Sequence, residues 1–246
     1  MREGAVSWAA FGVSACGEAE LMANCEGILH QREMDVFRSD RLGRWRFSYL
    51  RGRLCAKAAL GMLVDPLKLS DVAIERGVFG QPVVRSRHRC NAQVSISHSG
   101  NWAAALAFDE GHPMGADIEA YSDSKQDVIR SNMTAAELDA IAATSLNSAM
   151  QLTVLWTIKE SLSKVLRSGL MSPWEIYAIE SVRDQGDVVV STFRNFAQYK
   201  CLSFSIAEHG LSITLPKRTH VDLDVGGLLA IFRSDSPRPP EHLAPS

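Results

Sequence analysis

The chain has 246 residues, 46% of them hydrophobic and 22% charged, with a formal net charge of −2 at pH 7. This composition excludes a disordered chain, a collagen-like chain and a small protein built on disulfides. The near-neutral charge excludes general binding of nucleic acids or membrane surfaces through positive charge, and we expect neither as a partner.

The N-terminal segment predicts a first β-strand over residues 5–13. An exported lipoprotein is the alternative, since Val13-Ser14-Ala15-Cys16 has the pattern of a cleavage site, but the apolar stretch before it is short and interrupted. No run approaches the ~20 apolar residues of a membrane span. The five cysteines show no CxxC spacing, which indicates free thiols. We therefore expect a cytoplasmic protein.

Two helical segments follow, over about residues 18–37 and 44–63, and Asp65-Pro66 predicts the end of the second. Residues 32–57 hold eight basic side chains against three acidic ones. Such an excess suits a polyanionic ligand such as a phosphorylated nucleotide, and a solvated helix face is the alternative. The basic residues are Arg32, Arg38, Arg41, Arg44, Arg46, Arg51, Arg53 and Lys57.

The next segments predict strands over residues 72–84 and 102–108, with a turn at Gly80-Gln81-Pro82. Between them, Ser95-Ile96-Ser97-His98-Ser99-Gly100 predicts a polar loop. Its hydroxyls, imidazole and glycine can bind phosphate, and a surface histidine is the alternative. No G-x-S-x-G motif accompanies it, which argues against a serine hydrolase.

Residues 114–119 predict a short strand on which Asp117 and Glu119 share one face. Two neighbouring carboxylates repel each other unless a cation or a proton lies between them. Mg²⁺ is the natural cation because it prefers oxygen ligands and leaves room for phosphate oxygens. A solvated strand edge is the alternative.

The second half continues with helices over residues 134–144 and 149–167, then β-like runs over 174–213 and a Pro-rich tail from 235 that we expect to be disordered. Thr134 and Glu137 have the pattern of a capping box, although a glutamate near a metal can also act as a general base.

The longer helix carries a second candidate site. Trp156, Glu160 and Lys164 are four residues apart and share one stripe of the helix. Glu160 and Lys164 form an ordinary surface ion pair in one interpretation. In the other, Glu160 is the third carboxylate of a metal site and Lys164 neutralises a phosphate.

Five motifs resemble those of the 4′-phosphopantetheinyl transferases of the larger, surfactin-synthetase-activating type, and they follow one another in the family's order. The strand Gly115-Ala116-Asp117-Ile118-Glu119 and the W-T-I-K-E-S helix at residues 156–161 are together the most specific. The other three lie at residues 52–60, 80–82 and 95–99, and the resemblance covers about residues 44–170.

The resemblance implies an α+β fold of two pseudo-symmetric lobes with coenzyme A bound between them. Residues 1–112 would form the lobe that contacts the nucleotide, and residues 113–234 the lobe with the metal-binding carboxylates, followed by the tail 235–246. A monomer suffices for such a chain.

The resemblance also implies roles for individual residues. The Mg²⁺ ligands would be Asp117, Glu119 and Glu160. Glu137 would be the general base, which with Asp117, Glu160 and Lys164 makes up the catalytic set. Coenzyme A would be bound by Arg46, Arg53, Gln81, Ser97, His98, Lys159 and Lys164, and Arg44 and Arg51 are alternatives to Arg46 as the arginine upstream of Gly52. Gln81 stands where the family has a lysine, so one phosphate contact is expected to be lost or moved.

The implied reaction transfers 4′-phosphopantetheine from coenzyme A to a serine of an acyl or peptidyl carrier protein, with release of 3′,5′-ADP. The branch favours carriers of secondary metabolism. Two alternatives stay open: a Mg²⁺-dependent phosphodiesterase or nuclease, and a non-catalytic module that binds carrier proteins.

Overall fold

The computed structural model describes residues 9–64, 67–86 and 91–234 and confirms the predicted α+β class. The elements up to residue 109 are β1 (Ala9–Ser14), α1 (Glu18–Cys25), α2 (Gln31–Arg38), α3 (Arg46–Leu63), β2 (Val72–Arg76), β3 (Pro82–Ser86), β4 (Ala92–Ser99) and β5 (Trp102–Asp109). Those that follow are β6 (Gly115–Ala120), α4 (Asp123–Ser131), α5 (Ala135–Ala142), α6 (Ser148–Leu166), β7 (Ile179–Asp184), β8 (Val189–Phe193), β9 (Tyr199–Ile206), β10 (His209–Pro216) and α7 (Val225–Ser234).

Two antiparallel sheets form the framework. The first has the strand order β1-β5-β4 and the second the order β6-β10-β9-β8-β7, while β2 and β3 pair as a separate hairpin. Each sheet is covered by one long helix, α3 on the first and α6 on the second, as expected for two similar lobes. The lobe boundary at residue 112 stays a prediction, and the tail 235–246 lies outside the described residues.

The long helix α6 packs tightly on β6 and β10. Leu155, Ile158 and Leu162 are fully buried in this contact. At Gly115, the first residue of β6, an added β-carbon would lie 2.3 Å from the carbonyl oxygen of Ser161 on α6. Only glycine therefore permits this close approach of the strand to the helix.

Buried hydroxyl groups also connect α6 to the second sheet. The Thr157 hydroxyl lies 2.8 Å from that of Ser212 on β10, and the Ser161 hydroxyl lies 2.7 Å from that of Thr214. Hydrogen bonds are directional, so this layer fixes the position of the helix along the strands more closely than apolar packing alone.

The two sheets meet where β4 runs beside β6, and hydroxyls of β4 join them. The backbone N–H of Ala116 donates to Ser95 Oγ at 3.0 Å, and that of Ala120 donates to Ser99 Oγ at 2.9 Å. Alternate residues of a strand share a face, so three serines line this contact. We call this set the serine seam: Ser95, Ser97 and Ser99.

Several predicted elements differ from those observed. The loop predicted at residues 95–100 is wrong, because most of it belongs to β4. The serine hydroxyls on one face of β4 form hydrogen bonds with β6. The single helix predicted over residues 18–37 is two helices, separated by a turn in which Gly27 has a φ of 81°. The strand predicted from residue 174 begins at Ile179, after a short 3₁₀ turn. Residues 5–8 and 65–66 lie outside the described part.

The cysteines within the described residues are free thiols, as predicted, and Cys90 lies outside them. Cys55 on α3 and Cys201 on β9 are buried. Burial raises the pKa of Cys55 to about 12 and also raises the pKa of Cys201. Over the described ranges, no helix combines the length and the apolar character needed to cross a membrane.

Candidate active site

Asp117 on β6 is the centre of a charged cluster between the two sheets. Its Oδ1 accepts hydrogen bonds from Ser97 Oγ and from Lys164 Nζ, each at 2.7 Å. Its Oδ2 is buried without a hydrogen-bond partner. Buried polar atoms are nearly always paired, so this oxygen marks a position where a ligand is expected.

Glu119 lies two residues further along β6 and projects on the same side as Asp117, as predicted. Its Oε1 accepts hydrogen bonds from Ser99 Oγ at 3.3 Å and from Lys125 Nζ at 2.8 Å. Lys125 lies on α4 and was missed in the sequence, because no local spacing rule connects it with Glu119.

Glu160 reaches the same region from α6. Burial raises its pKa, and repulsion from Asp117 and then from Glu119 raises it further, while Lys164 and a hydrogen bond from Ser163 act in the opposite direction. The predicted carboxylates are therefore close enough to repel one another.

Lys164 is the cation of this cluster. Its Nζ lies 2.7 Å from Asp117 Oδ1 and 3.1 Å from the carbonyl oxygen of Ala116. It is four residues, about one helical turn, beyond Glu160, so α6 presents a carboxylate and an ammonium group side by side.

The oxygen donors of the cluster fit Mg²⁺ in chemistry, and the unpartnered Oδ2 of Asp117 supports the fit. Across the described part of the chain, however, no three His, Cys, Asp or Glu side chains are spaced closely enough to enclose a metal ion. The fit therefore rests on the donor type and on the free oxygen.

Two adjoining cavities lie in this region, and the first of them reaches the cluster. The first, of about 210 Å³, has apolar side chains such as Phe79 and Met114 in its walls together with Glu160 and Lys164, and we call it the apolar cavity. The second, of about 490 Å³, has four basic side chains in its walls together with the carboxylates of Glu33 and Glu75, and we call it the basic cavity. The two share Gly80, Pro82 and Ile96. The basic residues of the second cavity are Arg32, Arg53, Arg76 and His98.

The predicted nucleotide contacts are divided by the fold. Arg53 and His98 line the basic cavity, whereas Ser97 faces the other side of β4 and bonds to Asp117. Neighbouring strand residues point to opposite faces, so the expected joint role of Ser97 and His98 does not fit. Arg46 lies over the ring of Phe37, with its guanidinium carbon 4.4 Å from the ring centroid.

Gln81 lines the apolar cavity instead of the basic one. Its Oε1 accepts a hydrogen bond from the backbone N–H of Phe79 at 3.0 Å, which holds the side chain against its own turn. The expected loss or shift of a phosphate contact at this position stays a prediction.

Glu137 and Lys159 form a buried ion pair with an N–O distance of 2.8 Å, and both side chains are 1% exposed. Burial alone would raise the pKa of Glu137, but hydrogen bonds from the Ile179 N–H, from Lys159 and from the Thr134 N–H hold that pKa below its usual value. Neither side chain lines either cavity. This placement argues against Glu137 as a general base and against Lys159 as a phosphate contact.

Comparisons with known proteins identify relatives of the chain. The family model described as "ACPS: 4′-phosphopantetheinyl transferase superfamily" matches residues 113–216, which contain the charged cluster. Two holo-[acyl-carrier-protein] synthases of Streptococcus pyogenes, from serotype M28 (strain MGAS6180) and serotype M5 (strain Manfredo), are each 37% identical over 88 residues. Each match covers 34% of this chain and 74% of the relative.

The solved structures with some similarity to the chain include two synthases. A holo-(acyl-carrier-protein) synthase from Bacillus anthracis str. Ames in complex with CoA (3′,5′-ADP) is 22% identical, with a TM-score of 0.35 over 41% of this chain and 94% of that chain. A holo-ACP synthase from Plasmodium yoelii is 18% identical, with a TM-score of 0.33 over 41% of this chain and 91% of that chain.

Proposed function

Because the chain belongs to the 4′-phosphopantetheinyl transferase superfamily, we propose that it transfers 4′-phosphopantetheine from coenzyme A to a serine of an acyl or peptidyl carrier protein, in a Mg²⁺-dependent reaction. The observation that carries the proposal is the meeting of Asp117, Glu160 and Lys164 beside a cavity that Glu160 and Lys164 line.

The two cavities support coenzyme A as the donor substrate. The basic cavity suits its nucleotide phosphates, because guanidinium groups bind phosphate oxygens by paired hydrogen bonds. The apolar cavity suits the pantetheine arm and leads to the charged cluster. One molecule spanning both cavities would place its pyrophosphate near Lys164.

In the proposed reaction, the serine oxygen forms a bond to the β-phosphorus of coenzyme A while the bond from that phosphorus to the bridging oxygen breaks. 3′,5′-ADP leaves with that oxygen. Lys164 contributes positive charge where negative charge develops. Asp117, Glu119 and Glu160 would hold Mg²⁺, which when bound supplies further charge neutralisation at the phosphate oxygens.

The serine proton needs an acceptor near Lys164. Among the described residues that line the apolar cavity, Glu160 is the only carboxylate. Glu137 is buried in its ion pair with Lys159 and does not line this cavity, so we assign the proton to Glu160 instead of Glu137.

Further properties belong to the same proposal. Residues of β4 and β5 in the first sheet and residues of α6, which covers the second sheet, line the cavity beside Lys164, so both halves of a single chain contribute to it and a monomer suffices. We propose that this monomer acts in the cytoplasm on carriers of secondary metabolism, in line with the larger, surfactin-synthetase-activating type that its motifs resemble.

The test is intact-protein mass spectrometry of an apo carrier protein incubated with the chain, coenzyme A and Mg²⁺. We expect a gain of one phosphopantetheine, lost with EDTA and with Glu160→Gln. The matched control Glu180→Gln, which changes an exposed carboxylate on β7, should retain the gain. Binding of coenzyme A without transfer would favour the carrier-binding module, and hydrolysis without a carrier would favour the phosphodiesterase.

A further inference from the structure

The chain contains two buried Glu–Lys ion pairs, one beneath each long helix. Glu33 lies 2.9 Å from Lys57 of α3, and Glu137 lies 2.8 Å from Lys159 of α6. All four side chains are at most 2% exposed. Burying two charges is costly unless their geometry and hydrogen bonds compensate, so two such pairs in one chain require an explanation.

The two glutamates occupy equivalent positions in their helices. Each is the third residue of its helix and closes a capping box, Glu33 with the backbone N–H of His30 at 2.9 Å and Glu137 with that of Thr134 at 2.8 Å. The capping box uses one oxygen of each carboxylate, and a second backbone contact uses the other.

That second contact is also repeated. Glu33 Oε1 accepts the backbone N–H of Ile74 on β2 at 2.9 Å, and Glu137 Oε1 accepts that of Ile179 on β7 at 2.9 Å. Each glutamate thus joins a short helix, a strand and the lysine of a long helix.

Each lysine adjoins a side chain of the proposed site. Lys159 directly precedes Glu160, and Lys57 lies one turn beyond Arg53, which lines the basic cavity. Arg53 Nε also lies 3.8 Å from Glu33 Oε1. The Glu33–Lys57 pair therefore lies beside Arg53, which we propose as a nucleotide contact. The carboxylates of the charged cluster all lie in the other half of the chain.

We propose that Glu137 and Lys159 are positioning residues, a buried pair that fixes the rotation of α6 so that Glu160 faces Asp117, and that Glu33 and Lys57 do the same for α3 and Arg53. The inference rests on the proposed function and deepens it. In this proposal Glu137 has the same role as Glu33, which takes no part in proton transfer.

The test compares single and double variants in each half. Glu137→Gln leaves Lys159 buried without its counterion, whereas Glu137→Gln with Lys159→Met removes both charges and keeps an oxygen for the Ile179 N–H. The matched pair is Glu33→Gln alone and with Lys57→Met. Thermal unfolding is measured first, followed by kcat and by KM for coenzyme A.

We expect Glu137→Gln to lower kcat by up to about 10²-fold through misplacement of Glu160, and the double variant to recover most of that loss. The Glu33 variants should instead raise KM for coenzyme A and leave kcat closer to that of the parent. In both halves the single variant should unfold at a lower temperature than the double variant.

Other outcomes overturn the inference. If Glu137 were the base, the folded double variant would stay about 10²–10⁴-fold slow and its kcat would lose the acidic limb of the pH profile. A double variant without a cooperative unfolding transition would also overturn it. A parent protein that transfers nothing would instead reject the proposed function, which separates the two failures.

Discussion

Asp117 and Glu160 show how single residues of the cluster are held in states that cost stability. Asp117 keeps one oxygen unpartnered although it is buried. Glu160 is partly buried beside other carboxylates, which disfavours its charged form. Natural proteins depart from good local satisfaction mainly at functional sites, and both departures coincide here.

The raised pKa of Glu160 predicts a pH-dependent effect of Glu160→Gln. Glu160 binds its proton more tightly in the folded chain, so its contribution to stability is complete below the ordinary glutamate pKa and is lost as pH rises through the raised value. Glutamine cannot ionise. We expect equal stability at acid pH and a variant more stable than the parent at neutral pH.

Urea unfolding in EDTA between about pH 4 and pH 8 measures this difference. The matched control is Glu180→Gln, whose exposed side chain should give no such trend. A Glu160→Gln variant that is less stable than the parent at pH 8 would contradict the prediction.

At the scale of elements, the contact between α6 and β6 brings the charged groups together. Gly115 permits the close approach, and the hydroxyls of Thr157 and Ser161 fix the helix along the second sheet. The serine seam then aligns β4 with β6, so that Ser97 can reach Asp117. The site thus depends on backbone spacing as much as on its charged side chains.

Gly115→Ala tests that spacing. The new β-carbon would lie 2.3 Å from the Ser161 carbonyl oxygen, so strand and helix must separate. We expect a loss of about 1–3 kcal/mol in the free energy of unfolding, together with reduced transfer. In the control Gly226→Ala the nearest atom is 3.5 Å away, and the change should be within ~0.5 kcal/mol. Equal effects of both substitutions would refute the argument.

At the scale of the whole molecule, α7 connects the two sheets. Phe232 is fully buried and stacks on Trp102 of β5 with ring centroids 4.1 Å apart. It belongs to a cluster that also contains Ile118 of β6 and Phe204 of β9. The last helix therefore packs against the first and the second sheet at once.

Phe232→Ala should weaken this connection. Removal of a buried phenyl ring leaves a cavity and costs about 3–5 kcal/mol in the free energy of unfolding. The neighbouring Ile231 is 42% exposed, so Ile231→Ala should change that value by less than ~0.5 kcal/mol. Chemical denaturation with fluorescence detection measures both, and a Phe232→Ala value close to that of Ile231→Ala would count against the connection.

The parts of the fold that follow local rules could be predicted from the sequence. The two-residue period of a strand gave the shared face of Asp117 and Glu119, and the capping box of Thr134 and Glu137 is present. The partner of Glu137 could not be predicted, because Lys159 is reached only through the packing of α5 against α6.

Other features depend on contacts that no local pattern carries. Ser97 belongs to a strand whose polar face is satisfied by the other sheet, so its serines resembled those of a loop. Helix α7 was missed because it begins Val225-Gly226-Gly227, and glycine has a low helix propensity. Tertiary packing decides both.

The buried thiols of Cys55 and Cys201 can be used to detect local unfolding of each half of the chain. A thiolate, not a thiol, attacks disulfide reagents, so both groups stay unreactive while they are buried with raised pKa values. Cys55 lies between α3 and the first sheet, and Cys201 lies within the second. In a chain whose other cysteines are replaced, the rates at which such a reagent labels each thiol would measure how often each half exposes its interior, without any substrate.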